Sequence, residues 1–194
     1  TQDLAMSWLA LNATNDLKTF HLLNRAKNHQ DYLDALDQYW CPAQNFVYAD
    51  VDNNIAIKQQ GRFWIRYYEQ GKFLQDLSEA NVKQIKSYFI PNDQLPYVVN
   101  PERGFVSSAN QIPAGKDYPY YVLGFQYENF RNRRINEFLT QTKEITIDDM
   151  KKLQYDNLSV LARDILPYML SNTPIPNKLE YKEVIKQLAK WNYM

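Results

Sequence analysis

Few side chains in this sequence are equipped for chemistry, and they stand far apart. His21 and His29 are the only histidines, with no His-Glu-x-x-His pattern around them. A zinc site calls for several nitrogen or sulfur ligands, and the single cysteine, Cys41, cannot complete one. Both histidines therefore read as helix-surface or packing residues. Cys41 precedes Pro42 with no base close in sequence, so it reads as a buried structural thiol rather than a nucleophile. The carboxylate pair Asp148-Asp149 follows Thr146 at an expected helix start, where capping and the helix dipole account for both acids. An N-terminal threonine can act as a nucleophile. The residues after Thr1, Gln2 to Ser7, do not alternate as an apolar strand would, and Thr1 is not assigned that role. With only five glycines, neither GxxxxGK nor GxGxxG occurs. Local motifs alone hold no complete catalytic set.

The elements that must position any site are mixed. The chain has 194 residues and a mass of 23.0 kDa, enough for one sizeable domain or at most two small ones. Lys+Arg and Asp+Glu both number 22, and that balance argues against a nucleic-acid partner. A hydrophobic content of 45% argues against disorder. One cysteine excludes an internal disulfide framework. The apolar runs are too short to span a membrane, and Thr1 to Ala10 lack a signal-peptide pattern. The distinctive feature is 15 Tyr with 18 Asn and 15 Gln, which suits either a tyrosine-rich core or a surface that stacks and hydrogen-bonds.

Periodicity predicts a helix over Asp16–Trp40, capped by Asn15 or Asp16 and stopped by Pro42. Strand-like Asn45–Val51 and Asn54–Lys58 flank Asp52-Asn53, a tight turn, and Gly61 ends the second strand. Arg62–Leu77 is aromatic and irregular. Ser78–Tyr88 is predicted as a short helix, Pro91 to Pro101 as an extended stretch and Gly104–Gln111 as a strand ending in a polar turn. Helices are predicted over Phe125–Thr142, from Thr146 through Gln154, over Leu158–Leu170 and over Leu179–Trp191. On residue type alone, Asn110 is a turn former after a strand, and Arg131 belongs to a solvated cluster with Arg103, Arg133 and Arg134.

Two stretches resist that ordinary reading. One joins Pro42, Gln44-Asn45, Tyr48-Ala49-Asp50, Asn54-Ile55, Gly61 and Arg66, preceded by Phe20, Leu23-Asn24 and Ala26. The other joins Asn100-Pro101, Gly104-Phe105-Val106, Asn110, Tyr118-Pro119, Arg131 and Ile135. In order and spacing this set resembles the penicillin acylase (penicillin amidase) family of N-terminal nucleophile hydrolases over nearly the whole chain.

The resemblance implies an α+β segment of the four-layer αββα fold, with helices flanking antiparallel strands. It implies an amidohydrolase that cleaves N-acyl amides of the penicillin, cephalosporin or acyl-homoserine-lactone kind. The nucleophile is then a serine made N-terminal by self-cleavage, whose own α-amine, with a reference pKa of about 7.7–8.0, serves as base. Asn110 takes the place of the family's oxyanion-hole asparagine, and Arg131 that of an arginine which orients it. The serine stands upstream of the helix that starts near Asp16, so residues 1–194 are expected to be a single domain or fragment of the catalytic subunit, inactive alone. The expected partners are the rest of the same precursor and a small N-acyl amide, with export to the periplasm implied by the resemblance. No cofactor is required; some members hold a structural calcium, but its ligands cannot be placed here. Departures are Asn53 for the hairpin glycine, Trp64 for the usual proline and a longer segment over Ser78–Asp93. The alternative is a non-catalytic, aromatic-rich module binding a glycan or peptide.

Overall fold

A computed structural model describes residues 3–67, 69–74, 88–122, 128–174 and 178–194. The chain divides into two compact units. The first spans residues 1–108 and 112–126; the second spans 109–111 and 127–194.

In the first unit, α1 (Asp16–Leu23) and α2 (His29–Leu36) replace the single long helix expected from periodicity. The break has a local cause. Asn28 caps α2 by accepting the Asp31 N–H at 2.9 Å, and Asp31 in turn accepts the Lys27 N–H at 2.9 Å. Side chains that hydrogen-bond nearby backbone offer the chain an alternative to a continued helix. Asn15 makes no side-chain cap, and Asp16 is used elsewhere: its Oδ1 accepts the Trp40 N–H at 2.6 Å. That bond ties the start of α1 to the segment after α2, which ends at Leu36, well before Pro42.

The expected hairpin is present. β1 (Gln44–Ala49) and β2 (Ile55–Gln60) pair antiparallel, with Val47 opposite Ile57. Asn53 turns the chain at φ 66°, a left-handed value that asparagine tolerates. A third strand that the sequence reading took as plain extended chain, β3 (Tyr97–Val99), pairs with β2. The sheet order is β1-β2-β3. At Gly61, φ is 154° and a Cβ would stand 2.8 Å from the Ala43 Cβ, so a side chain has no room. Tyr32, Ala35, Leu36, Tyr39 and Ala56 form the buried centre.

The strand expected over Gly104–Gln111 is not built. Residues 105–108 join no ladder among the described residues. Arg103 Nε donates to the Phe105 carbonyl at 2.9 Å, and Asn45 Nδ2 donates to the Ser108 hydroxyl at 2.8 Å. The helix expected over Ser78–Tyr88 lies, apart from Tyr88, outside the described residues.

The second unit is helical: α3 (Phe130–Gln141), α4 (Ile147–Gln154), α5 (Val160–Asn172) and α6 (Leu179–Leu188). Thr146 and Asp149 form the capping box expected for α4, each side chain bonding the other's backbone N–H. Ser159 caps α5 through the Ala162 N–H. The α+β class, helices with an antiparallel sheet, is as the sequence indicates.

Candidate active site

Asn110 and Arg131 meet in the second unit. Asn110 adopts φ 63° in the turn 109–111. Ala109 beside it is buried, and its N–H donates to Gln111 Oε1 at 2.7 Å, which pins the turn. Arg131 is the second residue of α3, and its Nη2 donates to Asn110 Oδ1 at 2.7 Å. An amide has one acceptor oxygen and one NH₂ donor. Holding the oxygen with a cation fixes which way the amide faces and polarises it. Among the described residues no acceptor takes the Nδ2 hydrogens of Asn110.

The other two arginines of α3 are paired with carboxylates. Arg133 pairs with Asp164 at 2.6 Å. Arg134 grips Asp156 with two bonds, at 2.9 and 2.5 Å. Arg163 grips Glu137 at 2.9 and 2.6 Å. These bonds hold Asp156, Glu137 and Asp164 below their ordinary carboxylate values, with the hydrogen bond from the arginine as the largest cause in each. Arg131 alone of the α3 arginines forms no ion pair among the described residues. A cavity of about 470 Å³ is lined among others by Arg131, Arg134 and Asp156 with the apolar Phe130, Ile135 and Leu153; Asn110 does not line it.

The motif residues of the first unit do something different. Asp50 Oδ1 accepts the N–H of Asp52 at 3.0 Å and of Asn54 at 2.9 Å. Tyr48 donates its hydroxyl to Asp50 Oδ2 at 2.8 Å. Asn100 donates from Nδ2 to Asn54 Oδ1 and accepts the Ile55 N–H, both at 2.9 Å. Hydrogen bonds from Asn54 are the main reason Asp50 stays below the usual carboxylate range. Desolvation, then the bond to Asp50, pushes the Tyr48 hydroxyl up to about 12. Tyr48, Asp50, Asn54 and Asn100 are thus one net that locks the hairpin turn to the end of β3.

His29 packs among Tyr32, Tyr48 and Tyr97, its Nε2 lying 2.9 Å from the Tyr97 hydroxyl. Sequence reasoning left it as a helix-surface or packing residue and gave no sign of the three rings. His21 is exposed on α1, a different helix. Cys41 is half-buried rather than buried. Among the described residues no three His, Cys, Asp or Glu side chains stand close enough together to hold a metal ion.

The same fold occurs in a thermostable penicillin G acylase from Alcaligenes faecalis. The match has a TM-score of 0.63 at 19% identity and covers 92% of this chain and 32% of that one. The penicillin amidase family profile matches residues 1–194, and the chain belongs to that family. The penicillin acylase 2 proenzyme of Pseudomonas sp. (strain SE83) is 27% identical over 104 residues, which are 54% of this chain and 13% of the proenzyme. The chain therefore spans only a minor part of the length of either relative.

Proposed function

We propose that residues 1–194 form part of the catalytic subunit of an amide hydrolase and supply the side-chain half of its oxyanion hole. One observation carries the reading: Arg131 holds Asn110 Oδ1 at 2.7 Å, leaving the Nδ2 hydrogens to a substrate oxygen. Family membership supports the reaction class. In this scheme a serine upstream of these residues attacks the carbonyl carbon of an N-acyl amide, and its α-amine takes the hydroxyl proton. The carbonyl π electrons move onto oxygen, and Asn110 Nδ2–H donates to that oxyanion. The α-amine then passes the proton to the leaving nitrogen as the C–N bond breaks, and water releases the acyl group. Arg131 orients Asn110 and adds positive potential without touching the substrate.

The partner is the remainder of the precursor, the α subunit and the nucleophile-bearing part of the β subunit. Large apolar side chains left exposed here support that assignment: Leu4, Met6 and Leu11 near the start, and Ile165 and Met169 on α5. The isolated chain is expected to be inactive, and the intact protein to be exported to the periplasm. No helix of the described residues is long and apolar enough to cross a membrane.

The test is Asn110→Ala in the intact, processed enzyme. Loss of an oxyanion-hole donor lowers kcat by about 10²–10³. Near-normal turnover of an N-acyl amide would remove Asn110 from the mechanism.

A further inference from the structure

Resting on that reading, we propose that Asp156 is a positioning residue for Arg131: by neutralising Arg134, it leaves Arg131 as the one α3 arginine that engages Asn110. Arg131 and Arg134 are three residues apart on α3 and line the same cavity, as does Asp156. Residues at that spacing are neighbours on a helix face. An uncommitted Arg134 would repel the Arg131 guanidinium or compete with it for Asn110 Oδ1. An uncommitted Asp156 would be worse, because a carboxylate is a stronger acceptor for a guanidinium than an amide oxygen is. It would draw Arg131 away and release Asn110. The bidentate Arg134–Asp156 pair removes both competitors at once. Asp156 also accepts the Leu158 N–H at 3.2 Å, which fixes it in place ahead of α5.

The pair is also a staple between α3 and the turn before α5, and a staple alone would explain its presence. The two roles separate in a double-mutant cycle on the intact, processed enzyme. Asp156→Asn leaves Arg134 beside Arg131 with only the Glu137 carboxylate, 3.9 Å from its Nη1 and already held by Arg163, and Arg134→Gln leaves an extra anion. Each is expected to lower kcat by about tenfold, a fraction of the loss from removing the donor outright, with KM little changed. The double variant R134Q/D156N has neither stray charge, and its kcat is expected to return to within about threefold of the parent. Thermal unfolding is followed in parallel and is expected to fall in all three variants, since all lose the staple.

A double variant no more active than the worse single variant would overturn the proposal, leaving a structural staple only. Normal kcat in both single variants would overturn it too. Should Asp156→Asn fail to fold, Arg134→Gln and the double variant still decide between the two roles. The underlying reading fails separately: if Asn110→Ala and Arg131→Gln both leave kcat unchanged, there is no oxyanion pair for Asp156 to serve.

Discussion

Asn100 closes the first unit's hairpin onto Asn54: its Nδ2 donates to Asn54 Oδ1 at 2.9 Å while its own Oδ1 accepts the Ile55 N–H at 2.9 Å. Its backbone is left-handed at φ 46°, so the position needs both this side chain and this conformation. Asn100→Ala loses both bonds and keeps the strain, and is expected to cost about 1–2 kcal/mol of stability. Asn100→Gly relieves the strain but not the bonds and is expected to cost less. Urea unfolding of the two variants orders them; Gly as damaging as Ala would show that the conformation contributes little.

That net marks how far the sequence could be read. The hairpin and its turn were legible because Asn and Asp at 50–54 have few other uses between two apolar runs. The break between α1 and α2 was not, because the apolar spacing continues across it while the Asn28 and Asp31 bonds act only locally. β3 was missed because three residues among prolines carry no period. Residue type also does not indicate which side of β2 is buried: Ala56, Lys58 and Gln60 are buried, while Ile55 and Ile57 are half-buried. Asn110 stood out only through the family pattern. That Arg134 is held by Asp156 was invisible to local reading, because the two are 22 residues apart in sequence.

Tyr48 gives a prediction at alkaline pH. An ordinary tyrosine titrates near 10.0, and Tyr48 is pushed up to about 12. A folded pKa above the unfolded one means the group stabilises the fold below pH 10, with that contribution lost as pH rises through the folded value. Ultraviolet titration of phenolate should therefore show a fraction of the 15 tyrosines still protonated when exposed ones have ionised. Tyr48→Phe should shrink that fraction by one residue. A single transition near pH 10 that accounts for every ring would refute it.

Gly61 tests close approach. A methyl group there would meet Ala43 Cβ at 2.8 Å and Ala43 Cα at 2.9 Å. Gly61→Ala is expected to destabilise by about 1–3 kcal/mol, in the range of overpacked sites. Ala43→Gly on the same background removes one of the two clashing carbons and should recover part of the loss. Thermal unfolding of the cycle reads the coupling; strictly additive effects would show that the two positions do not touch.

The second unit should weaken in acid, and the sign follows from its ion pairs. Asp156, Glu137 and Asp164 all titrate lower in the folded chain than their ordinary values of 3.8, 4.5 and 3.8. The unfolded chain therefore binds more protons than the folded one, and stability rises with pH across this range. The contribution is complete above the ordinary values and disappears as pH falls through the depressed ones. Amide exchange in α3 and α5 of the intact protein is expected to be steady from neutrality to about pH 5, after correction for intrinsic exchange rates, and to accelerate as pH falls below the ordinary carboxylate values. Added salt should reduce the effect, because Glu137 and Asp164 are partly exposed and their pairs are screened. Asp156→Asn should remove the steepest part of the acid response, since Asp156 is the least exposed of the three carboxylates. Protection in α3 that stays constant through pH 3 would mean that the three pairs contribute no net stability, as many exposed pairs do not.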